Sequence, residues 1–240
     1  MERRFQKIKI FLAAAVFFIG GILAEFGGVL YAQVPSVIEH IRFPLWAELD
    51  AYPGLKEAYD PDSGVYDFPI SRIRETGPFL MEGMVYGWDF VYVPYDKTRE
   101  VQEYFELSEI QPLSEGAGDI ITYSSPWIED NRLNCWCDFT RSEYQIQNYY
   151  LWATIQNPTI QGRGYGSLEL GFDGIRQAAE DAAKNAVRNY YRSVIKNKPK
   201  EIRGKLLLRK IPTLGIDAGR YVINLDFFME CGRILEYKQF

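Results

Sequence analysis

Histidine is almost missing from this chain: His40 is the single one in 240 residues. Catalytic triads built on imidazole therefore have no base, and a four-ligand zinc centre has too few donors. His40 itself reads as a surface residue. Cysteine is scarce too, at Cys135, Cys137 and Cys231. In an oxidising compartment two of the three can pair and leave one over; on a strand, Cys135 and Cys137 share one face and Trp136 takes the other. No cysteine lies between residues 15 and 35, so the acylation signal of bacterial lipoproteins is absent. Basic surplus is lacking as well. With 27 Lys and Arg against 32 Asp and Glu, the net charge of -5 offers no field for a phosphate backbone, which excludes nucleic acid as a partner.

What is present begins with a leader. Arg3, Arg4, Lys7 and Lys9 precede an apolar run over residues 10–23, and small residues follow at Ala24 and Ala32. That pattern predicts a secretory signal over residues 1–32, cleaved after Ala32 or, as second choice, Ala24. Glu25 breaks the run short of the ~20 apolar residues of a membrane span. The alternative is an uncleaved anchor continuing through Phe26–Ala32, and membrane contact is expected only through it. The mature chain is expected in the periplasm or outer envelope of a bacterium.

Residues 33–78 carry prolines at 35, 44, 53, 61, 69 and 78 and predict an irregular arm without a long helix. Phe79–Val93 is apolar and aromatic without a helical stripe and predicts a strand kinked at Gly83 or Gly87, opening a strand-rich region over residues 79–158. The segment 100–110 fits a helix or a strand, with the return strand of a hairpin favoured. Gln111–Asn131 reads as a loop holding one short strand, Ile120–Tyr123, and Leu133–Thr140 as another strand. The segment 143–155 stays open between helix and strand.

The clearest element is a helix over residues 172–196. Ile175, Ala178, Ala179, Ala182, Ala183, Ala186, Val187, Tyr190 and Val194 recur every three or four residues, with charges on the other face. Asp173 is the expected N-cap, and Glu180 the expected partner of Lys184. A face made of alanine lets the helix axis approach a sheet closely, so bulky strands must supply the volume. Ile202–Leu208, the alternating Arg220–Glu230 and a short Ile234–Tyr237 supply strands, with Asp217, Ala218 and Gly219 as a hairpin turn. The fold class is α+β: an antiparallel sheet with one long Ala-rich helix on one face over residues 159–240, preceded by the strand-rich half.

Gly162, Gly164 and Gly166 form the one glycine-rich motif. It precedes the helix by several residues and carries no P-loop lysine, so it reads as a strand made slim enough to meet a helix, and no cofactor is expected. The acid pairs Glu129/Asp130 and Glu180/Asp181 read as solvated faces. Aromatics reach 15%, with 17 Tyr and 5 Trp. Trp88, Trp127, Trp136, Trp152 and Tyr165, with Tyr92, are the candidates for an aromatic platform that stacks on a glycan such as peptidoglycan.

The segment GRGYGSLELGFDGIRQAAEDAAKNAVRNYYR, within residues 160–230, resembles the N-terminal domain of the bacterial flagellar assembly protein T and related envelope lipoproteins. The resemblance implies a helix lying on a small antiparallel sheet and a non-enzymatic role in envelope or flagellar-basal assembly. The expected function is accordingly a structural or protein-interaction role in the envelope. An outer-membrane β-barrel is one alternative, and a glycan-binding module or glycan-active enzyme the other.

Overall fold

The computed structural model describes residues 36–56, 64–114, 116 and 118–237, without the side chains of 36 and 37. The leader expected over residues 1–32 lies outside them. A single helical turn, α1 (Ser36–Glu39), runs into β1 (His40–Glu48). There follow α2 (Asp67–Val85), β2 (Trp88–Val93), β3 (Tyr104–Glu109), β4 (Thr122–Glu129), β5 (Arg132–Thr140) and α3 (Glu143–Trp152). Last among the described residues come β6 (Thr159–Ser167), α4 (Phe172–Val194), β7 (Glu201–Leu208), β8 (Thr213–Asp217) and β9 (Arg220–Leu235). The architecture is α+β and antiparallel throughout. One sheet has the order β1-β5-β4; the other has β3-β2-β7-β9-β6, with β8 continuing the β7 edge of β9. Both sheets of the described residues are open, unlike the closed barrel of one alternative above.

The expected helix at 172–196 is α4. Its alanines at 178, 179, 182, 183 and 186 are almost fully buried. They lie on β6, where Gly162, Gly164 and Gly166 leave no side chain between strand and helix. An added Cβ at these positions would sit 2.0, 2.1 and 1.8 Å from the carbonyl oxygens of Ala182, Ala178 and Gly174. Bulk comes from the neighbouring strands: Ile223, Leu225, Phe227 and Met229 of β9 alternate inward as their period-two pattern requires. The helix cap differs from expectation. Gly171 occupies the N-cap position with Asp173 inside the first turn, and Lys184 pairs with Asp181 at 2.9 Å rather than with Glu180. Ala218 and Gly219, both at positive φ, turn β8 into β9 as the sequence suggested. Residues 234–235 extend β9 and add no separate strand.

The N-terminal half corrects the sequence reading most. Its proline-rich arm contains a nine-residue strand and the start of a 19-residue helix. Pro44 is tolerated because β1 is an edge strand and the residue faces outward. Pro69 lies in the first turn of α2, where no intrahelical donor is needed. Pro78 lies inside α2 and denies a donor to the Arg74 carbonyl, yet the helix runs through it. The strand expected at Phe79–Val93 is therefore helix up to Val85, and only Trp88–Val93 is strand. Gly87, at φ +82°, makes the break. α2 shows no polar stripe because both its sides are covered: Gly83 abuts Trp88 and Leu208 of the large sheet, and Gly77 abuts Tyr123 of the small one. β3 is the predicted return strand of a hairpin with β2, and residues 143–152 are helix, capped by a reciprocal Ser142–Gln145 box. β4 is longer than the short strand expected inside a loop. It passes Pro126 through a bulge between Ser124 and Trp127.

These pairings also cross the expected domain boundaries at 78/79 and 158/159. β1 pairs with β5, β2 pairs with β7, and the described residues from Ser36 onward form one compact unit. Two buried polar clusters lock the layers together. Arg141 donates to the carbonyls of Ile38 and Met84 at 2.7 Å each, and burial brings its pKa down to about 10. Asp119 accepts from Tyr86 Oη and Gln145 Nε2 at 2.7 Å each, tying the loop before β4 to α2 and α3.

Candidate functional site

The five-residue aromatic platform is not formed. Trp88 is a core side chain, stacked on Phe79 at 5.1 Å and edge-on to Phe227. Trp152 is buried with Leu207 and Phe228 on the opposite face of the large sheet. Tyr92 is buried, donating its hydroxyl to Glu103. Tyr165 stands on β6 between Arg163 and Arg220. Only Trp127 and Trp136 come together, with ring centroids 6.1 Å apart on the outer side of the small sheet. Residues the sequence reading passed over join them: Arg42 lies 4.8 Å over Trp136, and Arg132 lies 4.0 Å over Trp46. Arg42 also pairs with Asp138 at 3.3 Å. Two ring faces that could stack on a sugar are therefore already stacked on guanidinium groups.

All three cysteines are free, and the third is on a different sheet from the other two. Cys135 and Cys137 share the inner face of β5, as the strand period dictated. Burial pushes the Cys137 thiol up to about 12 and raises Cys135 as well, so neither is a ready nucleophile. Cys231 is exposed on β9. Among the described residues no three of His, Cys, Asp and Glu are grouped to hold a metal ion, and no helix is long and apolar enough to cross a membrane.

The feature best suited to binding is an apolar groove between the first half of α2 and the edge of the small sheet. Helical spacing puts Tyr66, Ile70 and Ile73 on one wall. The extra residue of the β4 bulge puts Tyr123 and Ile128, five positions apart, on the same face and forms the other wall, with Leu133 and Cys135 of β5 beneath. Pro126 and Trp127, at the bulge, border the groove. The groove encloses about 500 Å³, within the roughly 300–1,000 Å³ of small-molecule sites. Its walls stay uncovered: Ile128 is 54% exposed, Tyr66 47% and Ile70 38%. Exposed apolar side chains gathered in one place mark a binding surface, where scattered ones do not. Gly77 helps to shape it. A Cβ there would meet the Tyr123 hydroxyl at 2.6 Å, so the missing side chain lets the Tyr123 ring lie against α2. Burial raises the Tyr123 pKa, which the charge of Arg74 partly offsets. Among the described residues Arg74 is the one charged side chain lining the groove. The spacing Tyr66, Ile70, Ile73 and Gly77 was the available sequence signal, masked by the reading of this stretch as an arm.

A protein-family model matches residues 29–237. An uncharacterized protein of Treponema pallidum (strain Nichols) is 32% identical over 216 residues, covering 85% of this chain and 85% of that protein. No solved structure matches.

Proposed function

The chain belongs to the family matched over residues 29–237, and we propose that it is a non-enzymatic interaction protein of the bacterial envelope that works through the groove between α2 and β4. The observation that carries this reading is the groove itself: exposed apolar walls held on a helix fixed between two sheets, a rigid base for binding. Export is supported by the basic and apolar leader pattern, and a role in assembly by the resemblance of residues 160–230 to the flagellar and lipoprotein domains. The tryptophan face, with Arg42 and Arg132 already stacked on it, lends less support to a glycan reading.

Photo-crosslinking in cells tests the proposal. A photoreactive residue at Ile128 is expected to give adducts in the envelope fraction, while one at the exposed Val194, at the end of α4, gives none. Equal labelling from both positions, or a chain retained in the cytosol, would overturn it.

A further inference from the structure

The occupant of the groove can be narrowed by what its walls offer. β4 is an edge strand of the small sheet and at first sight a template for an added strand. Pro126 removes one backbone donor from that edge, Ser125 adopts φ +48°, and the bulge between Ser124 and Trp127 breaks the register. Such features are how proteins blunt an edge against strand addition. An occupant that needs no backbone hydrogen bonds fits better, and apolar walls select a hydrocarbon chain. Its polar end is set by Arg74, which lines the groove and has no carboxylate partner among the described residues. The other arginine on this stretch of helix, Arg72, is buried and paired with Glu75 at 3.1 Å. A cation without a carboxylate partner among the described residues, set beside an apolar groove, complements an anion attached to a hydrocarbon.

We propose that the groove binds a single-chain anionic amphiphile, a long-chain fatty acid, with its hydrocarbon against Tyr66, Ile70, Tyr123 and Ile128 and its carboxylate on Arg74. This rests on the reading of the groove as the working surface and names what it holds.

The test is calorimetric titration of the full chain with monomeric palmitate, with the cationic amphiphile of the same chain length, hexadecyltrimethylammonium, as comparison. Palmitate is expected to bind at one site and the cationic amphiphile at least tenfold more weakly. Arg74→Glu should reverse that order, Ile128→Glu should abolish binding of both, and Arg192→Glu, outside the groove, should leave both unchanged. If Ile128→Glu does not fold, Tyr66→Glu at the exposed rim serves in its place. Palmitate binding that ignores Arg74→Glu, or no palmitate binding at all, overturns the inference. When palmitate fails but the Ile128 crosslinker still captures a protein, the amphiphile falls and the interaction reading stands. When both fail, the groove is not a binding surface.

Discussion

Two helix–sheet contacts in this molecule are built on opposite terms. Where α4 meets β6, glycine faces alanine and backbone meets backbone, so no added atom fits. Where α2 meets β4, large side chains stand apart and enclose about 500 Å³. The first contact has spent all its space on closeness, and any change there must move main chain. The second retains space, and changes there can be absorbed by side chains. Rigidity and binding capacity are thus divided between the two ends of one fold.

The division predicts a graded series of effects. Gly164→Val forces a branched side chain against the Ala178 carbonyl and the Ala182 amide, 2.1 and 2.2 Å from its Cβ. It should cost more than about 4 kcal/mol and abolish the cooperative melt by near-UV circular dichroism; a melting temperature near wild type would mean that α4 is not seated on β6. Ala182→Asp buries an unpaired carboxylate in the same contact and should cost on the order of 3 kcal/mol in urea titrations. Gly77→Ala, by contrast, meets only the far end of the Tyr123 side chain. It should cost about 1 kcal/mol or less and shrink the groove; a loss comparable to that of Gly164→Val would erase the contrast.

A smaller, pH-dependent effect belongs to the α2 side. Burial raises the Glu82 pKa above its usual 4.5, against the lowering effect of the Leu113 amide that it accepts. A carboxyl whose pKa is raised by folding contributes stability below its unfolded value, and that contribution is lost as pH rises through the folded one. Glu82→Gln should therefore flatten this fall in stability above pH 4.5 while keeping the acceptor for Leu113. An unchanged profile would assign the pH dependence elsewhere. Thiol titration should distinguish the two sheets without perturbing either: Cys231 reacts fast, whereas Cys135 and Cys137 wait for unfolding.

The same contrast explains what could be read from residues alone. α4 was legible because its two faces see different surroundings, sheet on one side and water on the other, and that asymmetry is written at intervals of three and four. β9 was legible for the same reason at a period of two. α2 is covered by a sheet on each side over much of its length, so Phe79 to Val85 carry no polar stripe, and Pro78 reads as a breaker. β1 was hidden by Pro44, whose tolerance depends on an edge that only the pairing reveals. The groove was least legible of all. An opening belongs to no residue; it arises from how far α2 stands from β4, and its nearest trace is the run Tyr66, Ile70, Ile73.

β9 carries β6 along one side and both β7 and β8 along the other, and it is the last strand of the described residues. A ribosome emitting this polypeptide from its amino end therefore releases every other strand of the large sheet before the one that joins them. Until β9 emerges, β6 and β7 have no central partner, and α4 no completed floor. The large sheet stays unfinished until β9 has been made, and a stop codon placed before Arg220 should yield material that chaperones hold and proteases clear.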